Sequence, residues 1–437
     1  MWPNKWFGVD FWRNDVLLWL SMGFIHVSPA LSSICLGIFI VQLLVLGDRV
    51  EMSTRQMWGF GLMAMALLWN FVCLFDSVSM GWFSQAFVSD RAAADLQKLA
   101  WVKMQVKLPL IVVLGLYATG RRLPSVLFSA WPVLLLPMIW VSVSSVIHYF
   151  QHREFYDQMV LESKPIPLYS NVYHIEYAVM VGMAVLLMLY GWMNGKVTDK
   201  ESSRWLGLSL LVLVVCMHVL GARTGLVVLY VGGGLLAMQF LKKNRKWMMR
   251  TFVLGVCGLG LLLMMPSVQN RIQNTWVDVK TTFVGGDVTH QSFGQRWVAW
   301  NTALGALNDR KMVVSGYGVG VDEVLKQRYE RGEVALAERH RIGVHNQWLE
   351  GALQSGWLPM LLVLVMGFMV MSRGNSMEGT SAAGLWLALV LAMMFESLFE
   401  RQAGILVVLA LFQRQIAEKN GMNSKIKKEY ALNDKIK

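Results

Sequence analysis

Apolar residues fall in blocks along this chain, most of them near the roughly 20 residues that a helix needs to cross a bilayer. Short polar intervals separate the blocks. Those at 16–28, 30–47, 57–76, 101–118, 124–149, 175–194, 204–220, 222–241, 251–267, 350–372, 381–398 and 402–416 predict about twelve transmembrane helices. Pro29 lies between the first two, which read as two helices or as one kinked element. Only Gly221 to Gly225 separates the seventh from the eighth, a tight hairpin, and Gly232-Gly233-Gly234 permits close packing or a kink in the eighth. One polar interval is far longer than the rest. Residues 268–349 carry mixed charge, four tryptophans (Trp276, Trp297, Trp300, Trp348) and a central stretch with the pattern of amphipathic helix. A loop of ~80 residues among short ones is more often functional than incidental. The expected organisation is therefore 1–267 with about nine spans, an 82-residue loop at 268–349, about three spans over 350–416, and a basic tail at 417–437.

Composition supports this picture. The 437 residues are 55% apolar and 16% charged, with mean hydropathy +0.45, whereas soluble domains carry about 25% charged residues. Disorder and a nucleic-acid-binding arm are excluded, and a soluble enzyme is disfavoured. A net charge of +12 would suggest an acidic partner in a soluble protein; in a membrane protein it sets orientation. With the N-terminus in the cytoplasm, the whole excess falls on cytoplasmic segments such as Arg121-Arg122, the cluster from Lys242 to Arg250 and the run from Arg414 to Lys437, and the outer side is neutral. Both termini are expected inside and the long loop outside. Cys35, Cys73, Cys216 and Cys257 all lie in apolar blocks and read as small buried hydrophobes. The first block leads straight into more apolar sequence, which is not the pattern of a cleaved signal.

Four groups of residues have chemical potential. In Gly221-Ala222-Arg223-Thr224-Gly225, an arginine at a membrane boundary needs a partner. It either snorkels to headgroups or binds an anion, with the glycines letting the backbone approach a ligand and the guanidinium forking onto phosphate. Gly294-Gln295-Arg296-Trp297-x-x-Trp300 opens a helix in the outer loop, and Ser315-Gly316-Tyr317-Gly318-Val319-Gly320 follows as a turn, with N–H groups available to an anion if it is more than a turn. His345-Asn346-Gln347-Trp348-Leu349-Glu350 stands where the loop re-enters the membrane; a neutral imidazole there is suited to take a proton. Lys103 and Lys107, four apart, share one face near the outer end of the fourth span. His174, Glu176, His218, Glu396, Glu400 and Arg401 are further polar residues on the outer side, and Glu400 and Arg401 can simply pair with other loop charges. No acidic group has metal-ligand spacing, so phosphates on a substrate would be met by arginine and lysine.

The order of these features (R-T-G hairpin, long outer loop with R-W-x-x-W, then G-Y-G-V-G, then H-N-Q-W-L-E-x-x-L-Q-x-G-W-L) resembles the O-antigen ligase/polymerase superfamily of bacterial envelope enzymes. The motifs cover roughly 200–372; the remainder is similar only in span count and hydropathy. The resemblance implies an all-α polytopic membrane protein with GT-C-like architecture in the bacterial inner membrane, its site facing the periplasm. It implies an inverting, metal-independent glycosyl transfer without cofactor, from a glycan on undecaprenyl diphosphate. Carried over by motif, Arg223 and Arg296 would bind the diphosphate and His345 would be the general base, with Asn346 binding a sugar or holding the loop. Lys103 and Lys107 join the substrate-binding set on charge and position alone. The leading expectation is an O-antigen ligase acting on a sugar hydroxyl of lipid A–core. The alternatives are an O-antigen or capsule polymerase joining lipid-linked repeat units and, from a different class, a transporter of lipid-linked sugars. A transporter would place polar residues at mid-membrane in broken helices, whereas most of the candidates here lie toward the outer face. Membrane lipid is an expected partner and nucleic acid is not.

Overall fold

The fold was read from a computed structural model that describes residues 14–49, 52–79, 90–161, 165–221, 223–243, 260, 264, 266–289, 291–310, 313–330, 342–372 and 377–415. The ninth expected span, apart from 260, 264, 266 and 267, and the tail at 417–437 lie outside the described residues. The helices are α1 (Val16–Phe24), α2 (Pro29–Val45), α3 (Thr54–Ser79), α4 (Asp90–Ala118), α5 (Trp131–Gln151), α6 (Arg153–Leu161), α7 (His174–Met193), α8 (Lys200–Leu220), α9 (Arg223–Lys243), α10 (Pro266–Val284), α11 (Ser292–Arg310), α12 (Val321–Glu330), α13 (Gln347–Ser355), α14 (Trp357–Met371), α15 (Met377–Ala392) and α16 (402–415). The only strands among the described residues form a two-residue antiparallel ribbon, Asp48 opposite Arg122 and Arg49 opposite Arg121. The chain is all-α. Among the described residues, five helical stretches are long and apolar enough to cross a bilayer: Thr54–Leu74, Asp95–Ala118, Trp131–Gln151, His174–Met193 and Lys200–Leu220. Each coincides with an expected span. Pro29–Val45, Trp357–Met371 and Ser381–Ala392 are apolar but shorter.

Local chemistry sets several ends. The first two blocks form two helices, because Ser28 Oγ accepts the Leu31 N–H and Pro29 occupies the first helical position of α2. Asp199 caps α8 through the Ser202 N–H at 2.7 Å. Gly221, at φ +60°, closes α8 by returning its N–H to Met217 O.

Helix α7 is the innermost, buried without a break from Ile175 to Met188. Helix α9 crosses it through glycines. A Cβ at Gly225 would stand 2.5 Å from Ala178 Cβ, and one at Gly232 would stand 2.3 Å from Leu186 Cδ1. The close approach expected of the R-T-G glycine is thus to a neighbouring helix backbone and not to a ligand. Further packing joins α9 to α15, α3 to α4 and α14, and α5 to α1 and α8. At the end of the bundle away from the long loop, Asp15 accepts the Val126 N–H at 2.8 Å and Tyr117 donates to Gln413 Oε1 at 2.6 Å. Arg414, counted above among the cytoplasmic cations, is buried over the Tyr190 ring.

The long loop builds a second core from Ala303, Ala306 and Leu307 of α11, Tyr317, Val321 and Leu325, and Val344, Leu349 and Leu353 around α13. This alters the reading of 350–372. That block is two helices broken at Gly356, and α13 belongs to the loop core. Gly356 has φ +93°, and a Cβ there would lie 2.6 Å from Val313 O. The turn at 316–320 serves the same break: a Cβ on Gly316 would strike Leu353 O at 2.2 Å, and Tyr317 N–H donates to that same carbonyl at 2.6 Å. The block at 381–398 also ends early, at Ala392. A turn follows and then a 3₁₀ turn at Leu398–Glu400, because the run carries Glu396, which turns toward the loop.

Gly356→Ala is expected to lower the melting temperature of detergent-purified protein, at a cost of order 1–3 kcal/mol for a left-handed alanine. Gly37→Ala, where an added Cβ meets nothing within 4 Å, is the control and should leave the melt unchanged or raise it.

Candidate active site

One end of the bundle gathers the N-termini of α4, α7 and α9, the loop helices α10, α11 and α13, and the turn before α16. Arg223 opens α9 and Arg296 lies one turn into α11. Both line one cleft, whose other walls are Ser142 of α5, Pro165, Ile166 and Leu168, His174 and Tyr177 of α7, Leu220 of α8 and Ser292 of α11. The cleft is therefore apolar along one side and cationic at one end. The structure brings these two arginines into one cleft.

Asp278 of α10 joins them. Its buried carboxylate accepts the N–H groups of Phe293 and Gly294 at 2.9 and 3.0 Å, capping the helix that carries Arg296. The same group lies 3.8 Å from Arg223 Nη1. Arg296 donates from Nη1 to Ser292 Oγ at 3.2 Å, while its Nε is buried with no hydrogen-bond partner. Burial pushes the Arg296 guanidinium below its ordinary value, and the charges of Glu396, Tyr173 and Asp278 draw it back up. A buried guanidinium with an unsatisfied N–H donor is energetically costly, and an acceptor brought into the cleft would relieve that cost.

His345 is the only non-glycine residue among those described with positive φ, +44°. Its Nδ1 lies 3.2 and 3.3 Å from the two carboxylate oxygens of Glu396. A carboxylate accepts, so Nδ1 is the nitrogen that donates to Glu396, and in the neutral imidazole Nε2 then holds the lone pair. The imidazole is 31% exposed and its partner 6%, so a substrate can reach the ring but water hardly reaches the carboxylate. Glu176, at the start of α7, is buried beside this pair and lies 3.5 Å from Arg401 Nε. Tyr173 stands between the two halves: burial raises its phenol, Glu396 raises it further and Arg296 lowers it. The charges of the arginine cleft and of the histidine pair therefore act on common groups, although His345 and Glu396 do not line the cleft itself.

Asn346 holds the loop. Its Oδ1 accepts the N–H groups of Trp348 and Leu349 at 3.0 and 3.1 Å, capping α13 directly after His345. Lys103 and Lys107 do not line the cleft. Lys103 Nζ lies 3.1 Å from Glu350 Oε1, and Lys107 Nζ lies 2.7 Å from Glu400 Oε1, with its side chain only 3% exposed. His218 is an internal helix residue, bonded to Val214 O and the Tyr230 hydroxyl. Two partners carried no role in the sequence reading. Glu396 had a usable signal, being the one carboxylate inside an apolar block that otherwise runs from 381 to 398. Asp278 had only its place on the inward face of an amphipathic helix.

No curated protein matches the chain. Residues 208–364 match the family model described as O-Antigen ligase. That segment runs from the middle of α8 to the middle of α14 and contains Arg223, Asp278, Arg296, His345 and Asn346, while Lys103, Glu396 and Glu400 lie outside it. This match, over little more than a third of the chain, supports membership of the O-antigen ligase superfamily, a group of membrane proteins with glycosyltransferase-like activity.

Proposed function

We propose that this protein is an O-antigen ligase, transferring a glycan from undecaprenyl diphosphate to a sugar hydroxyl of lipid A–core at the periplasmic face of the inner membrane. The observation that carries the reading is the gathering of Arg223, Arg296 and the His345–Glu396 pair at one end of the bundle, with Arg296 buried and short of a partner.

The chemistry follows from those groups. The acceptor hydroxyl gives its proton to His345 Nε2, and its oxygen attacks the anomeric carbon. The bond from that carbon to the diphosphate oxygen breaks, and the electron pair leaves with the lipid diphosphate. Attack from the face opposite the leaving group inverts the anomeric centre. Negative charge grows on the diphosphate as the bond lengthens, so arginines placed there bind the transition state better than the ground state. Glu396 stabilises the imidazolium that forms and fixes the tautomer that can accept a proton. The apolar wall of the cleft suits the first isoprenoid units next to the diphosphate, and two cations on the diphosphate leave no requirement for a divalent ion.

His345→Ala should lower turnover by roughly 10²–10⁴-fold, the usual contribution of a general base, with insertion retained and the melting temperature lowered because Glu396 loses its partner; normal turnover would remove His345 from this role. Arg223→Lys should reduce kcat/KM by at least about tenfold, because a point charge cannot reproduce a planar fork, and full activity would dismiss the clamp. The class of acceptor is decided by offering purified protein a lipid-diphosphate glycan, in the presence of a chelator, with either lipid A–core or a second lipid-linked glycan. Extension of lipid A–core is expected; extension of the lipid-linked glycan alone would make the protein a polymerase.

A further inference from the structure

We infer that Lys103 and Lys107 are positioning residues, which together with Glu350 and Glu400 form a buried ion network that sets the distance between His345 and Glu396. This rests on the reading of His345 as the general base.

The pair is made by two segments far apart in the chain. His345 immediately precedes α13, and Glu350 lies in the first turn of that helix. Glu396 precedes the 3₁₀ turn Leu398–Glu400, and Glu400 is the last residue of that turn. Lys103 Nζ reaches both: 3.1 Å to Glu350 Oε1 and 3.8 Å to Glu400 Oε2. Lys107 Nζ is held by three oxygens, Glu400 Oε1 at 2.7 Å, Gln354 Oε1 at 2.7 Å and Asn70 Oδ1 at 2.8 Å. Gln354 Nε2 closes the ring by donating to Glu350 Oε1 at 2.9 Å. Asn70 brings in α3 through Ser355 Oγ at 3.0 Å. Backbone bonds brace the same two segments, with Gln347 N–H on Met393 O at 2.8 Å and Phe399 N–H on Gln347 Oε1 at 2.6 Å.

Two ammonium groups and two carboxylates sum to zero, so the network has no charge left for a diphosphate. What it does have is reach. One lysine spans the helix behind the base and the turn behind the base's partner. The Nδ1 contact with Glu396, at 3.2 Å, is already long for a hydrogen bond, and a displacement of α13 against that turn by one ångström would break it. Misplacement on this scale costs roughly 10²-fold in rate. The lysines therefore act on the chemistry through His345 without touching substrate.

The test uses full-length protein in lipid nanodiscs, with donor binding and turnover measured separately. Lys103→Met leaves Glu350 and Glu400 short of a counter-charge, so it is made together with Lys103→Met/Glu350→Met, which removes one charge of each sign. The expected result for both is a kcat lower by roughly 10²-fold while the Kd for a lipid-diphosphate glycan stays within about twofold. A raised donor Kd with kcat retained would make the lysines substrate ligands and overturn the inference. So would parental kcat in a folded double variant. If neither methionine variant assembles, Glu350→Ala, which removes the acceptor of both Lys103 and Gln354, is read by the same split, and parental kcat there is equally decisive against it. His345→Ala in the same preparation separates two failures. Turnover in that variant means the base itself was misassigned. An inactive His345→Ala beside fully active network variants means that only the positioning role is wrong.

Discussion

A carboxylate taken out of water must find a cation or a set of N–H donors, and at one end of this bundle that requirement organises everything else. Asp278, Glu176, Glu350, Glu396 and Glu400 are all buried or nearly so, and each faces a base or a helix terminus. Leaving one of them unpaired would cost several kcal/mol. Each pairing crosses between the apolar helices and the long loop, or between two segments at that same end of the bundle. The loop is thereby docked by charge as well as by its own apolar core. These pairs add to the apolar and backbone contacts that place α11 and α13 against α4, α7 and α9, and so help to bring the two arginines and the histidine to one end of the bundle.

The elements that carry the cationic half of this arrangement were legible in the sequence. Arginine at a membrane boundary, arginine at the start of a loop helix and histidine at the loop's re-entry are conspicuous, because each is costly where it stands. Expected spans at 57–76, 101–118, 175–194 and 204–220 also reappear with ends shifted by a few residues, since a run of apolar residues as long as a bilayer leaves little choice of structure. The acidic half was much harder to read. Asp278, Glu350, Glu396 and Glu400 are scattered over more than a hundred residues, and nothing in local spacing says which base each one meets.

The same limit explains the lysines. Charge and position suggested phosphate ligands, and both properties are also those of a cation that neutralises buried glutamates; only the partner distinguishes the two, and the partner is 247 or more residues away. The glycines misled in the opposite direction. Gly221 and Gly225 flank an arginine, which reads as a cradle, yet one ends a helix and the other lets α9 touch α7. A glycine records that something comes close and does not record what. Gly356 is the instructive case: an apolar block of membrane length was interrupted by a single residue whose backbone sign, φ +93°, hydropathy cannot express.

His345 raises a different matter. Its backbone, at φ +44°, lies where glycine or asparagine would rest without complaint, and a histidine there carries a conformational penalty of order 1 kcal/mol. Selection for thermostability alone would therefore tend to erase this side chain and keep the turn. The turn itself divides labour between neighbours: it sends the imidazole toward Glu396 and the next side chain, Asn346, back onto the helix it caps. An engineered, more robust version of this protein would meet its first conflict at that residue, where the most comfortable amino acid and the useful one are not the same.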